Sequence, residues 1–276
     1  IGAFFSSILV GYVGEVFGWH YGFSMAGGGM MIGQYFFLKG KKNLIDKTPK
    51  KEKKISFNFT NIEKDRIKLI LISSFILIVF WASFEQAGGL MNIYAFEKTN
   101  RYIPSLDLEI PASWFQSINP LLIILLGFFI SSLWLNLQKR RIVNSSIIKM
   151  SFGIIIMGLG FIFMFFASIE SENTGSSAMY WLFLAYLFHT IGELCASPVI
   201  LSYITKLSPK KLVTSIMGLY FAAIGLGNKL AGSIGQYSTE LGEKFIFLGI
   251  FLVCSLVGLT VIILNKKLNS LSHGVE

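Results

Sequence analysis

Four ionisable side chains stand inside long apolar runs of this chain: Glu85 in "FWASFEQAGG", His189 and Glu193 in "FHTIGELCASP", and Lys229 in "GLGNKLAGSIG". Such groups can carry charge, exchange protons or pair with a charged ligand, and a carboxylate in a low-dielectric interior holds or releases its proton according to its neighbours. His189 and Glu193 have the i, i+4 spacing that puts both on one helix face, and Pro198 follows as a kink point. Amides and amphipathic aromatics gather around these positions: Trp81, Gln86, Asn92 and Tyr94, then Gln116, Ser117 and Asn119, then Tyr220 and Asn228. That mixture suits a pocket for a small polar solute. The plain alternative is a structural hydrogen bond or ion pair, with Lys229 and His189 as the charge partners. We prefer it for His189 and prefer a functional role for the two glutamates. Neither "GYVGE" nor "GELC" has the spacing of a catalytic motif, and no nucleophile triad, metal cluster or phosphate-binding loop can be assembled. The expectation is no enzyme, no metal and no cofactor.

The elements that must carry these groups are set by composition. The 276 residues are 53% hydrophobic with a mean hydropathy of +0.64, only 14% are charged, and 26 are Phe. A soluble domain carries about 25% charge. Windows such as 69–84 and 245–264 approach or reach the ~20 apolar residues that cross a ~30 Å hydrocarbon core. Eight spans are predicted, at 1–14, 20–38, 69–96, 111–137, 145–169, 178–204, 212–236 and 245–265. Continuous apolar runs exclude the alternation of a membrane barrel, so the fold class is all-α, a polytopic helical bundle. A charge at the bilayer centre costs at least about 2.5–3.5 kcal/mol, so ionisable groups there face a cavity or a partner.

The formal charge of +9 is placed as a topology signal. Lys and Arg number eleven in 39–68, four in 138–149, three in 205–211 and two just after 265, all on alternate loops. The opposite loops hold Lys98, Arg101 and Lys244. The positive-inside rule makes the first set cytoplasmic, and a nucleic-acid surface would not alternate with span order. Residues 39–68 read as a basic cytoplasmic linker ending in a helix start at "TNIEKDR", which separates two spans (1–38) from six (69–266), with a cytoplasmic tail at 267–276. Ile1 opens directly into an apolar stretch, which reads as a fragment starting inside a helix. Two spans before a charged loop and six after it are what remains of a 6+6 transporter without its first four helices. The glycines of 26–33 and 225–235 are read as sites of close helix approach. Cys195 and Cys254 are read as small apolar side chains, and Trp114 as an interfacial belt residue.

Five stretches together resemble the proton-dependent oligopeptide transporter family of the major facilitator superfamily. "GYVGEVFGWHYGF" (11–23) resembles the link between its helices five and six, "FWASFEQAGG" helix seven, and "PASWFQSINPLLIILL" (111–126) helix eight. "GELCASPVILSYITKLSPKKL" (192–212) resembles helix ten, and "MGLYFAAIGLGNKLAG" (217–232) helix eleven. The resemblance implies a bacterial inner-membrane symporter that moves di- and tripeptides with protons by alternating access, the proton being the coupling ion. By it, Glu193 would pair with the peptide amino terminus, helped by Asn119. Glu85 would be a proton-linked or gating carboxylate, with Trp81 and Tyr220 lining the pocket. Two departures bear on substrate choice: Tyr220 stands where many relatives have Trp, and Ile224 where they have a small hydroxyl residue. The linker is too short for the extra hairpin of many bacterial members. The family's helix-one and helix-four charged motifs lie outside this sequence, and the missing helices would be the chain's partners. Transport of nitrate or another small metabolite, and a non-transporting truncated membrane protein that binds anionic lipid through its linker, are the alternatives.

Overall fold

The structure is a computed structural model and describes residues 2–41, 59–140 and 145–275. Most of the expected linker and the loop 141–144 lie outside the described residues. Among those described, eight helical rods follow the predicted order: α1 (Gly2–Phe17), α2 (Trp19–Gly40), α3 (Asn61–Lys98), α4 (Ala112–Lys139), α5 (Ser146–Thr174), α6 (Met179–Leu207), α7 (Val213–Leu241) and α8 (Glu243–Ile263). A short α9 (Asn265–Ser270) follows α8.

Apolarity and length alone carry five of the eight across a membrane: α3, α4, α5, α6 and α8. α1 is apolar but shorter. α2 and α7 have the length and lack the hydropathy, because α2 includes His20, Gln34 and Lys39 and α7 includes Asn228 and Lys229. Loops at the end away from the linker form two short strand pairs. Thr99–Asn100 (β1) runs parallel to Ser177–Ala178 (β4), and Tyr102–Ile103 (β2) antiparallel to Leu108–Glu109 (β3).

Local chemistry explains the ends and the contacts. α3 starts at a capping box: the Glu63 N–H donates to Thr60 Oγ1 at 3.2 Å and the Thr60 N–H to Glu63 Oε2 at 2.8 Å. Such a box satisfies two otherwise unpaired amides. The C-terminal segment folds back over this start. The Arg66 Nε–H donates to the Ser272 carbonyl at 3.3 Å, His273 Nε2 lies 3.0 Å from Asp65 Oδ2, and Leu268 and Ser272 are buried.

The core is a closely packed seam of α5 against α6 and α8. A methyl group added at Gly153 would sit 2.6 Å from Ala196 Cβ, at Gly192 2.6 Å from the Gly153 carbonyl, and at Gly258 2.4 Å from Ile155 Cγ1. Backbones this close admit only glycine, the small-residue packing expected where no water drives helices together. The glycines expected to play this role behave differently. Gly27, Gly28, Gly29 and Gly33 meet nothing within 4 Å among the described residues, and of the second cluster only Gly227 is tight, 2.8 Å from Trp81 Cβ. Cys195 and Cys254 are free thiols in the core, Cys254 Sγ lying 3.2 Å from Ser83 Oγ.

Candidate functional site

α3 is not one continuous helix. It is α-helical to Phe84, tightens to a 3-10 turn at Glu85–Ala87, and resumes at Leu90 after Gly88 and Gly89. A break at membrane depth is tolerated where neighbours satisfy the freed backbone or a cavity adjoins it. Both hold here. The Tyr186 hydroxyl of α6 donates to the Ala87 carbonyl at 2.9 Å. The Gln86 amide donates to the Ala82 carbonyl at 3.0 Å and to the Ala231 carbonyl of α7 at 3.1 Å, tying the break to a second helix. The break turns Glu85 towards a cavity of about 190 Å³ whose wall also includes Gln116, Asn119 and Tyr186. Glu85 is half-buried and has no hydrogen-bonding or ionic partner among the described residues.

Across the cavity, Asn119 spends both of its amide hydrogens on α6. Nδ2 donates to Glu193 Oε2 at 2.8 Å and to Thr190 Oγ1 at 3.1 Å, and Thr190 in turn donates to the Tyr186 carbonyl at 2.7 Å. Asn119 is held at the start of the regular part of α4, where Pro120 needs no amide hydrogen. Pro198 withholds the hydrogen bond that the Leu194 carbonyl would otherwise accept, just beyond Glu193. One carboxylate, Glu85, therefore lines the polar space, and a second, Glu193, stands behind Asn119 in its wall. The second is held by a neutral amide and the first is unengaged, so the space can receive a cationic group.

Of the expected site residues, the structure brings together Glu85, Asn119 and Glu193. Trp81 lies behind the cavity wall: its ring packs at 5.5 Å on Phe84, which lines the cavity, and its Cβ faces Gly227. Tyr220 is buried in the core and is not among the residues lining that cavity.

Among the described residues, neither expected charge partner makes an ion pair. Lys229 is exposed on α7 and makes no ion pair among the described residues, because the face of α7 turned towards α3 is taken by Ala223, Gly227 and Ala231. His189 is fully buried, packed at 4.5 Å on Phe161 and against Gly160, and neither ring nitrogen has a hydrogen-bonding partner among the described residues. It looks into the α5 seam while Glu193 looks to α4, so the shared face predicted from their spacing splits between two neighbours. Trp114, read from the sequence as a belt residue, joins α4 to α1. Its indole N–H donates to the Ile8 carbonyl of α1 at 3.3 Å and its ring lies 6.2 Å from Tyr12.

Tyr186 and Thr190 were missed by sequence reasoning. The signal was present, since Tyr186, Thr190 and Glu193 stand at i, i+4 and i+7 on one helix stripe.

Fold and site define the class: an integral membrane protein of the major facilitator type, with one part-buried carboxylate at the break of a helix and another on a neighbouring helix. Residues 1–63 and 61–247 match the POT family, and the chain belongs to it. It is 41% identical over 181 residues to a peptide transporter of Yersinia enterocolitica, covering 63% of this chain and 34% of that one. Over 330 aligned positions it is 26% identical to an uncharacterized transporter of Bacillus subtilis, covering all of this chain and 66% of that protein. A crystal structure of a peptide transporter POT in complex with sulfate superposes with a TM-score of 0.87 at 23% identity, over 98% of this chain and 66% of that one. A POT family transporter in complex with 5-aminolevulinic acid gives 0.70 at 27% identity, over 77% and 44%. The chain thus spans between 34% and 66% of the length of these relatives.

Proposed function

We propose that this chain supplies the carboxylate-bearing bundle of a symporter that moves di- and tripeptides with protons. The observation that carries it is the Asn119–Glu193 bond beside the unengaged Glu85 on one cavity. A peptide's terminal ammonium has three donors and a full charge, and would replace the neutral Asn119 amide on Glu193. Charge-assisted hydrogen bonds of that kind are roughly twice as strong as neutral ones. Asn119 would then be free to turn its carbonyl oxygen towards the peptide. Glu85, with no fixed partner, is the group placed to take and release the coupling proton. The cavity of about 190 Å³ is below the 300–1,000 Å³ of a pocket that encloses a drug-sized ligand. It suits one end of a peptide, with the rest met by other helices of the whole protein. Trp81 would act by fixing Phe84 in the wall, and Tyr220 by shaping the core behind it. The bundle sits in a bacterial inner membrane, with the basic linker and the C-terminus on the cytoplasmic side.

The test is uptake of a labelled dipeptide into proteoliposomes carrying the full-length parent, with and without an inward proton gradient. Gradient-dependent accumulation is expected. Absence of accumulation by folded protein would overturn the reading. One observation favours a second substrate: the relative bound to 5-aminolevulinic acid. A small ω-amino acid carries the same ammonium and a carboxylate, so failure of excess dipeptide to displace labelled 5-aminolevulinate would decide for it.

A further inference from the structure

Glu15, at the end of α1, makes the most specific polar contact between the first two rods and the rest of the molecule. Its two carboxylate oxygens accept separate backbone hydrogens at the start of α4: Oε2 from the Ala112 N–H at 3.0 Å, and Oε1 from the Ser113 N–H at 2.6 Å. The first amides of a helix have no partner inside it, and a carboxylate there also meets the positive end of the helix dipole. Three neighbouring contacts align the two rods. Trp114 donates to the Ile8 carbonyl, the Tyr12 and Trp114 rings meet at 6.2 Å, and Gly11 lies so close that a methyl group there would sit 2.6 Å from Ser113 Cβ.

Immediately beside this contact the packing opens. A cavity of about 340 Å³ separates Glu15 and Trp19 from Asn92, Ile93 and Phe96 of α3. The two rods touch along α1, and at the end beside this cavity their join rests on directed bonds. The helix so capped is the one that carries Asn119.

We propose that Glu15 is a positioning residue that latches this face shut: it caps α4 from α1, and any motion that parts the two rods there must first break both of its bonds. The proposal rests on the alternating-access reading, in which the bundle of α1–α2 moves against that of α3–α8. It places the release point at a carboxylate-to-backbone cap, whose freed donors and acceptors water takes over, at a net cost, once the face opens. The open state therefore leaves no unpaired donor.

The experiment reads distance rather than transport. In the full-length parent without substrate, spin labels at Phe17 and Leu106, both exposed at this face, report the separation of the two sides. Labels at Phe166 and Leu256, exposed on α5 and α8, report the seam that should not move. Glu15→Ala should lower the closed-to-open ratio at the first pair by at least about tenfold, the equilibrium effect of losing one charge-assisted hydrogen bond. The second pair should stay unchanged. Glu15→Gln keeps one acceptor and should fall between, and it alone decides if the alanine variant does not fold. Distance distributions at the first pair matching those of the unsubstituted protein would overturn the latch. No peptide is present, so this outcome is independent of whether peptides are the cargo. Failure of dipeptide uptake with the shift intact would sink the substrate assignment and leave the latch standing.

Discussion

The α5–α6–α8 seam and the α3–α4–α6 cavity share a helix and are built on opposite principles. Along the seam, Gly153, Gly192 and Gly258 bring backbones together and Phe161, Phe247 and His189 fill the space without a side-chain hydrogen bond among them. Around the cavity, a broken helix, two carboxylates and an amide leave the space partly empty and rely on directed bonds. α6 is the hinge of the comparison, since one of its faces is clamped and another is adjustable. A binding group such as Glu193 can exchange partners only if the helix that carries it does not move in response. The seam supplies that stiffness.

The largest effect should come from attacking the seam beside the site. Gly192→Ala puts a carbon within 2.6 Å of the Gly153 carbonyl and 2.7 Å of Met157 Cβ, so the backbones must part. Overpacking typically costs about 1–3 kcal/mol, and the backbone position puts this variant at the upper end. We expect a marked fall in melting temperature and in monodisperse yield on fluorescence-detected size exclusion. Normal yield would show that the seam is looser than its distances imply, and the contrast with the cavity would fail.

Glu193→Gln attacks the other side and should separate function from folding. The glutamine carbonyl still accepts from Asn119, so stability should change by no more than about 1 kcal/mol. The charge that would receive an ammonium is gone. Uptake of labelled dipeptide by the full-length variant should fall tenfold or more, the loss of a single charge-assisted contact. Uptake near that of the unsubstituted protein would remove Glu193 from the site.

These two regions were unequally legible in the sequence. Ionisable groups are so costly in lipid that the few present announce themselves, which singled out Glu85 and Glu193, whereas the role of Asn119 beside Glu193 came only from the family resemblance. Helix order was also legible, because apolar length is a property of single segments. What each helix face meets is not. A spacing of i, i+4 placed His189 beside Glu193, but the offset between them is enough to turn one into α5 and the other onto α4. Lys229 was read as a buried partner because its run is apolar, whereas the small residues around it show which face of α7 is buried. Glu15 escaped notice for a different reason: its partners are backbone amides, which have no signature in residue type, and it lies one position beyond the expected end of the first span.

The smallest effect should come from His189, and it sharpens the comparison most. The residue is an ionisable group fully buried next to the candidate site, yet it belongs to the seam. Its ring touches Phe161 and Gly160, and its nitrogens have no partners among the described residues. Replacing it with Phe keeps an aromatic ring of similar volume and removes polar atoms whose burial without hydrogen bonds is unfavourable. Gly160 approaches the imidazole closely, so the larger six-membered ring must shift slightly, and the two contributions oppose each other. The net change in stability of His189→Phe should lie within about 1.5 kcal/mol, and dipeptide uptake with its dependence on the proton gradient should be unchanged. Loss of gradient dependence with folding intact would move His189 out of the seam and into the proton route. The boundary between support and site would then fall between His189 of α6 and Phe161 of α5 rather than at Thr190.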